Sequence, residues 1–274
     1  MNVFYHNKLI LSLLTACNTM DVSLARVISH KTGFDHPVTL IESSGVKFVF
    51  PSMDNVIGRH LMEHGTYDPV ELSFLMQFVE AGMSVVEVGS NVGPYSVHIA
   101  RKVGPSGRLT CFEPFRLIYQ ILNANIALNG LNNTELINAA GGDWPERHMD
   151  ADGPNLNRED NYGASTLLDM SRRTWILSDT ISERIRIVPL DSLEWSRKVD
   201  LLKIDAEGME YDVVRGAKKQ IHKDRPVLYV ENGTHDIVSG LPFENWMERE
   251  FGYACYRPEG LKQHYIVMCM PRTS

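Results

Sequence analysis

The chain has little cysteine, no long uncharged apolar run and fewer basic than acidic residues. Cys17, Cys111, Cys255 and Cys269 lie too far apart for a zinc knuckle, and their pattern favours reduced thiols in a cytoplasmic protein. No run approaches the roughly 18 apolar residues that a membrane span needs, so we expect no membrane partner. Lys plus Arg total 27 against 34 for Asp plus Glu, and the net charge of −7 disfavours a nucleic-acid partner.

The composition is typical of a globular chain. Hydrophobic residues make up 43% and charged residues 22% of the 274 residues, which excludes a disordered protein and permits a sizeable core. Residues 9–17, after Lys8, resemble a short lipoprotein signal that ends at Cys17. The alternative is an amphipathic helix packed on the domain. We favour the helix because the basic region is weak and the apolar region minimal.

Two apolar runs, at residues 38–41 and 46–50, are separated by Ser43-Ser44-Gly45 and predict a β-hairpin. We assign it to a small N-terminal accessory segment over residues 1–64, ahead of a main domain over residues 65–274. In that domain strand-like runs alternate with helical periodicity. We expect strands at 85–88, 108–112, 134–140, 199–204 and 226–230, and helices at 94–103, 117–128 and 209–220.

Strands that alternate with helices predict parallel βαβ units and a doubly wound, mostly parallel α/β sheet. Runs at 252–256 and 264–270 predict a closing antiparallel hairpin. Residues 142–183 are irregular and polar. They form either a lid or binding loop, or a tolerated surface excursion.

A glycine loop follows the first strand of the main domain. Gly89 and Gly93 permit close approach of a ligand to the backbone, but their spacing departs from the G-x-G-x-x-G dinucleotide fingerprint. Glu87 inside the strand suits a cationic ligand better than a pyrophosphate. Glu113 closes the next strand, where a carboxylate can accept both ribose hydroxyls; the alternative is a helix cap. Together these residues predict S-adenosylmethionine as the cofactor.

A second group of acids follows the fourth strand. Asp205 should lie at the carboxyl edge of the sheet, where open α/β sheets bind ligands. Glu207 and Glu210 flank Gly208 in the turn that follows. Acids in the first turn of a helix are also stabilised by its dipole, which is the structural alternative.

These motifs resemble those of the FkbM-type methyltransferases over about residues 65–232. The most specific element is Lys203-Ile204-Asp205-Ala206-Glu207-Gly208-Met209-Glu210. The others, in the family's order, are residues 87–93, 112–114, 125–130, 163–167 and 188–193. One departure is Pro94, where the family more often has a residue with a free N–H.

The resemblance implies a class I, Rossmann-like methyltransferase fold that binds S-adenosyl-L-methionine and mostly methylates hydroxyls of sugars or natural products. It places Glu87, Gly89, Asn91 and Gly93 along the methionine part and Glu113 at the ribose. The other cofactor contacts that it implies are Ala139 and Ala140 near adenine, Tyr67 over the cofactor, and Asp205. It also implies Glu207 and Ser165 as substrate residues.

A hydroxyl acceptor is a poor nucleophile and benefits from a base. The candidates are Asp205, then Glu231 at the end of the fifth strand, then His235 in the following loop. Glu231 can equally be a solvated loop acid, and a lone histidine is usually structural. No metal site is predicted, because oxygen ligands have no firm sequence spacing here.

Two other functions are open to such a chain. One is a nicotinamide dehydrogenase, which the absent third glycine and Glu87 disfavour. The other is a non-catalytic binding module that keeps the fold for partner contact. A nucleic-acid methyltransferase is disfavoured by the charge and by the lack of an Asn/Asp-Pro-Pro-Tyr/Phe motif. We expect a small-molecule or glycan hydroxyl acceptor.

Overall fold

The computed structural model describes residues 26–30, 38–165, 167, 181–232, 237–238, 241–261 and 265–272. The predictions made for residues 9–17 and for His235 lie outside these residues.

An antiparallel sheet of three strands opens the described chain: β1 (Arg26–His30), β2 (Val38–Ser43) and β3 (Val46–Pro51). β2 and β3 confirm the predicted hairpin. Phe48 and Phe50 of β3 alternate with less buried residues and are at most 1% exposed, because side chains two apart share one face of a strand. β1 was not predicted.

The remaining strands supply the main sheet and smaller ribbons. They are β4 (Ser84–Val88), β5 (Arg108–Phe112), β6 (Thr134–Ile137), β7 (Ala140–Gly141), β8 (Arg147–Gly153), β9 (Ile181–Val188), β10 (Leu201–Ile204), β11 (Val227–Glu231), β12 (Ile237–Val238), β13 (Leu241–Pro242), β14 (Tyr253–Tyr256) and β15 (Ile266–Pro271). The helices of the described part are α1 (Ile57–His64), α2 (Pro69–Leu75), α3 (Ser96–Val103), α4 (Arg116–Leu128), α5 (Glu210–Gly216), α6 (Lys218–Asp224) and α7 (Phe243–Phe251).

The main sheet has seven strands in the order β6-β5-β4-β10-β11-β15-β14. The first five are parallel, β15 runs antiparallel to β11, and β14 runs antiparallel to β15. This confirms the predicted doubly wound, mostly parallel sheet with a closing antiparallel hairpin. Numbered within the sheet, the order is 3-2-1-4-5-7-6.

Two predicted elements have different bounds. The strand expected at 134–140 ends at Ile137, and Ala140 leaves the main sheet to pair with Ile187 of β9. The helix expected at 209–220 is split into α5 and α6. Both carboxylate oxygens of Asp191 accept backbone N–H groups at the start of α6, from Lys219 at 2.8 Å and Gln220 at 2.9 Å, so a new helix begins there.

The N-terminal sheet is fastened to the main domain through Asn125 of α4, which is fully buried. Its side-chain amide donates to Val49 O in β3 at 2.8 Å and to Val92 O in the glycine loop at 2.7 Å, while its oxygen accepts from Val49 N at 2.6 Å. One side chain thus joins the hairpin, α4 and the loop. The proposed boundary after residue 64 stays a prediction.

The expectation of reduced thiols is wrong for one pair. Cys255 of β14 and Cys269 of β15 face each other in register and form a disulfide. Cys111 is a buried free thiol, as expected for a small apolar side chain. The disulfide removes the cysteine argument for a cytoplasmic location, which stays a prediction.

The segment expected to be irregular contains regular structure. β8 and β9 pair antiparallel over seven residues each, and β7 extends this ribbon on the other side of β9. The loop after β8 also touches the N-terminal part: Asn55 N donates to Asp160 O at 3.0 Å, and Asp160 N donates to Met53 O at 3.2 Å. The insertion is therefore held by strand pairing in the ribbon and by the contacts of Asp160.

Candidate active site

A cavity opens at the carboxyl ends of the parallel strands β4, β5, β10 and β11, where the sequence motifs converge. Loops that follow neighbouring parallel strands meet at one edge of a sheet, which is why residues distant in sequence share this site. The residues that line it are Ile57, Tyr67, Val88, Gly89, Ser90, Asn91, Pro94, Tyr95, Glu113, Pro114, Phe115, Ala139, Ala140, Gly141, Asn161, Tyr162, Gly163, Ser165, Leu167, Lys203, Asp205, Ala206, Glu207, Met209 and Glu231.

Glu113 braces the glycine loop from the end of β5. Its two oxygens accept backbone N–H groups of Asn91 and Phe115, each at 2.9 Å. Burial nevertheless raises the pKa of this carboxyl to about 8, because desolvation outweighs the two hydrogen bonds. Each oxygen has a further lone pair, so the carboxyl can still accept from hydroxyl groups in the cavity.

The two glycines of the loop serve different contacts. Gly89 has φ +83°, and a Cβ built there lies 1.7 Å from the carbonyl oxygen of Asp205, so only glycine lets β4 and β10 end side by side. Gly93 has φ +87°, and its Cβ position lies 2.7 Å from Leu122 of α4. Gly93 is thus required for packing against α4 and does not line the cavity.

Asp205 and Glu231 follow paired residues on adjacent parallel strands. Ile204 is in register with Val230, so the two acids occupy the next rung side by side. Asp205 is the largest cause of the raised pKa of Glu231, ahead of burial. The carboxyl of Glu231 therefore keeps its proton well above the usual range for glutamate.

Lys203 supplies the positive charge behind these acids. Its side chain is 2% exposed, and its ammonium lies 3.4 Å from Glu87 Oε1 and 3.5 Å from Asp205 Oδ2. The ammonium also lies 4.9 Å from the centre of the Tyr95 ring. Ser96 Oγ donates to the other oxygen of Glu87 at 2.5 Å. Glu87 is fully buried and does not line the cavity, so it contacts Lys203 instead of a ligand.

The turn after β10 is shaped by Glu210. One of its oxygens accepts from Ala206 N at 3.1 Å and from Gly208 N at 3.0 Å. Burial raises the pKa of this carboxyl to about 7. Glu207 adopts φ +48° within the turn and lines the cavity. Glu210 therefore acts on the conformation of the turn and does not line the cavity.

The wall opposite the strand ends comes from the insertion and from α1. Tyr162 is buried, and its hydroxyl donates to the backbone oxygens of Asn155 and Arg158, which closes the loop on itself. Asn161 Oδ1 accepts from Gly163 N at 3.1 Å. The hydroxyl of Ser165 faces the same cavity and has no hydrogen-bond partner among the described residues.

The structure brings together nearly all of the residues that the sequence indicated. Those that line the cavity are Tyr67, Gly89, Asn91, Glu113, Ala139, Ala140, Ser165, Asp205, Glu207 and Glu231. Glu87 and Gly93 lie behind it. The sequence reasoning missed Lys203 and Tyr95 as site residues, although Lys203 begins the most specific motif and Tyr95 lies two residues after the glycine loop. A charged residue in an otherwise apolar strand was the available signal for Lys203.

Among the described residues, no three His, Cys, Asp or Glu side chains are arranged to hold a metal ion. Over the same residues, no helix is both long and apolar enough to cross a bilayer.

Comparisons with known proteins indicate a methyltransferase. The family model described as Methyltransferase FkbM domain matches residues 87–255, more than half of the chain. A curated relative, Methyltransferase sdnD of Sordaria araneosa, is 25% identical over 167 residues, which cover 50% of this chain and 61% of that protein. The chain therefore spans less than two thirds of that relative's length.

Solved structures with some similarity include methyltransferase FkbM from Methylobacillus flagellatus KT, at 13% identity and a TM-score of 0.48, covering 79% of this chain and 55% of that one. A SAM-dependent methyltransferase from Aquifex aeolicus matches at 13% identity and a TM-score of 0.40, covering 74% of this chain and 92% of that one.

The strand order and the cavity at its carboxyl edge define a class I methyltransferase fold. Within this class, the chain belongs to the methyltransferase FkbM domain family.

The cofactor of this family is S-adenosyl-L-methionine, and the residues present fit it. Glu113 offers a buried carboxyl to a ribose diol, and Gly89 lines the same cavity without a side chain. Ala139 and Ala140 provide a small, buried surface next to Glu113 for a flat base. The described lining contains one basic side chain, Lys203, which is engaged by Glu87 and Asp205, so it offers no cation for a pyrophosphate.

Proposed function

We propose that this protein transfers a methyl group from S-adenosyl-L-methionine to a hydroxyl of a sugar or natural product. The observation that carries the proposal is the pairing of Asp205 and Glu231 at adjacent strand ends, next to the loop that Gly89 and Glu113 form. A carboxylate in this place can take the proton of an attacking hydroxyl. The cofactor supplies an activated methyl on sulfonium sulfur.

In this mechanism the chain positions both reactants. Glu113 binds the ribose, and the backbone at Gly89 permits close approach. S-adenosyl-L-methionine would supply the methyl group to the acceptor oxygen and leave as S-adenosylhomocysteine, and Asp205 would take the proton of the acceptor hydroxyl. Lys203, 3.5 Å from Asp205 Oδ2, holds that carboxylate in place. Alignment of the two reactants supplies most of the rate enhancement in such a displacement.

The insertion and α1 close the acceptor side. Ile57, Tyr162 and Leu167 present apolar surface to the cavity, and Ser165 offers a hydroxyl without a partner in the described part of the chain. These residues exclude water and contact the acceptor. Glu207, on the facing turn, is the second acceptor contact that we propose.

The proposal is tested with labelled S-adenosylmethionine and a panel of hydroxylated sugars and natural products. We expect methyl transfer to at least one class of hydroxyl. Asp205→Asn should retain cofactor binding in calorimetry and lose turnover, whereas Asp152→Asn, an exposed residue of β8, should behave as wild type. Binding without transfer to any hydroxyl would favour the non-catalytic binding module. Unchanged turnover in Asp205→Asn would remove Asp205 as the base.

A further inference from the structure

The described lining of the cavity contains more acidic than basic side chains. Its acids are Glu113, Asp205, Glu207 and Glu231, and its one basic side chain is Lys203. The ammonium of Lys203 is already engaged by Glu87, which is fully buried behind the cavity. Lys203 therefore shares its one positive charge between Glu87 and Asp205, and a ligand that brings further positive charge is favoured there.

The order of strands divides these acids between two ends of the cavity. Glu113, Gly89, Asp205 and Glu231 follow β5, β4, β10 and β11, which are consecutive in the sheet. Neighbouring strands lie about 4.8 Å apart, so Glu231 is roughly three strand spacings, or about 14 Å, from Glu113 along the edge. If Glu113 binds the ribose and Gly89 lies under the methionine part, Glu231 lies beyond the cofactor, on the acceptor side.

Aromatic side chains accompany the acids at that end. Tyr67 lines the same cavity as Asp205 and Glu231, and after burial these two acids are the charged groups that most raise the pKa of its phenol. The Tyr95 ring packs edge-on against Tyr67, with centroids 5.7 Å apart. Tyr95 is 3% exposed, and its hydroxyl has no hydrogen-bond partner among the described residues, so it is available to a ligand.

We propose that the methyl acceptor carries a protonated amine near the hydroxyl that is methylated, and that Glu231, Asp205 and the Tyr67 ring bind this ammonium. The proposal rests on the proposed function, because it names the substrate class of the same site. Carboxylates combined with an aromatic face are the groups that recognise an ammonium ion in a partly buried site. A neutral sugar or polyketide would offer these carboxyls no charge-assisted contact.

Binding of such an amine is coupled to release of the proton that Glu231 holds. The charged and titratable groups that act on Glu231 are Asp205, Glu71, Glu207, Lys203, Tyr67 and Tyr229. In the free protein Asp205 and burial hold a proton on Glu231. An ammonium placed between the two carboxyls would favour the ionised form of Glu231, so the amine should bind with release of a proton.

The ammonium group in the methionine part of the cofactor competes with the acceptor's amine for the position between Glu231 and Asp205. S-adenosylhomocysteine has the same ammonium, so protein saturated with it already contains that group. An amine preference that persists in this complex therefore belongs to a second site. An amine preference that is seen only in the free protein would assign these carboxyls to the cofactor and overturn the proposal.

The experiment titrates matched pairs of small hydroxylated probes by calorimetry into protein saturated with S-adenosylhomocysteine and into free protein. The pairs are glucosamine with N-acetylglucosamine, and 2-aminocyclohexanol with cyclohexane-1,2-diol. In the saturated protein we expect each amine to bind roughly tenfold more tightly than its neutral partner, as for other charge-assisted contacts. Titrations in buffers of different ionisation enthalpy should show proton release with the amine alone.

Glu231→Gln should abolish the amine preference and the proton release, while Glu135→Gln, an exposed acid of β6, should leave both unchanged. Equal binding of amine and neutral partner, including no binding of either, overturns the proposal. A preference that survives in Glu231→Gln also overturns it. Failure of the proposed function is seen separately, because no methyl group would then pass from labelled S-adenosylmethionine to any hydroxyl of the panel, whether or not the amine probes bind.

Discussion

The ammonium of Lys203 lies 3.4 Å from the carboxylate of Glu87, and neither side chain is more than 2% exposed. The two residues are in register on the adjacent strands β10 and β4. Lys203 lies two residues before Asp205, and Glu87 lies two residues before Gly89. The acid at the end of the first strand therefore binds a lysine of the protein. It influences the cavity through Lys203, whose ammonium also touches Asp205.

Lys203→Met should destabilise the protein by about 3–5 kcal/mol, because it leaves Glu87 buried without its counter-charge. Adding Glu87→Gln to this variant should recover part of the loss. Urea unfolding monitored by circular dichroism measures both. The exposed pair of Arg108 and Glu135 is the control, since Arg108→Met should cost no more than about 1 kcal/mol. Equal costs for the buried and the exposed pair would contradict a buried ion pair at Lys203.

Glu113→Ala should weaken binding of S-adenosylmethionine and of S-adenosylhomocysteine by a similar factor, because both carry the same ribose. Loss of two hydrogen bonds from the ribose hydroxyls to this carboxyl corresponds to about 1–3 kcal/mol, or roughly 5–150-fold in Kd. Calorimetry with both ligands measures the change. Glu135→Ala, on the neighbouring strand and exposed, should bind as wild type does. Wild-type affinity in Glu113→Ala would exclude the ribose contact.

Gly89→Ala and Gly104→Ala form a matched pair, because both glycines have positive φ. At Gly89 the added Cβ meets the carbonyl oxygen of Asp205, whereas at Gly104 it meets nothing within 4 Å. We expect Gly104→Ala to cost about 1–3 kcal/mol of backbone strain, because φ +66° and ψ −173° lie in a region that only glycine adopts readily, and to bind the cofactor normally. Gly89→Ala should lose more stability and lose cofactor binding as well. Thermal unfolding and calorimetry distinguish the two, and identical behaviour would refute the close approach at Gly89.

The free energy of unfolding should fall as the pH rises from about 5 to about 8. The pKa of Glu113 is raised to about 8 and that of Glu210 to about 7, both first by burial. A carboxyl whose pKa is raised on folding binds more protons in the folded state than in the unfolded state. Its contribution to stability is complete at a pH below its pKa in the unfolded chain, and it is lost as the pH rises through its pKa in the folded protein. Each group contributes at most about 1.4 kcal/mol per pH unit within that range.

Glu210→Gln should reduce this pH dependence, because the amide oxygen still accepts from Ala206 and Gly208 but no proton is lost. Urea unfolding at pH 5.5 and pH 8.5 gives the difference for wild type and variant. Glu80→Gln, an exposed acid, is the control and should keep the wild-type difference. A Glu210→Gln protein with the full wild-type pH dependence would show that Glu210 does not titrate in this range.

The sequence was sufficient to predict those site residues that stand directly at the end of a strand. Gly89, Glu113 and Asp205 each follow an apolar run directly, and parallel strands place such positions at one edge. The structure confirms that all three line one cavity. The rule that parallel strands end at one edge of the sheet also predicted the position of Glu231 correctly, because β11 is parallel to β10.

Sequence reasoning was wrong where a side chain's partner is distant along the chain. Glu87 was expected to face the cofactor, but its partner is Lys203, 116 residues further on and in register with it. Cys255 and Cys269 were expected to be reduced, but the closing hairpin places them opposite each other. Strand register is a tertiary property, and a one-residue slip would separate both pairs.

By itself the sequence determined the fold class, the family and the edge of the sheet at which the site lies, because apolar periodicity and motif spacing are local properties. The tertiary structure alone decided which acids face the cavity and which lie behind it. It also decided that the insertion and α1 supply the opposite wall, through contacts such as that of Asn55 with Asp160. Burial and charge pairing depend on residues far apart in the chain, and only folding brings them within a few ångströms.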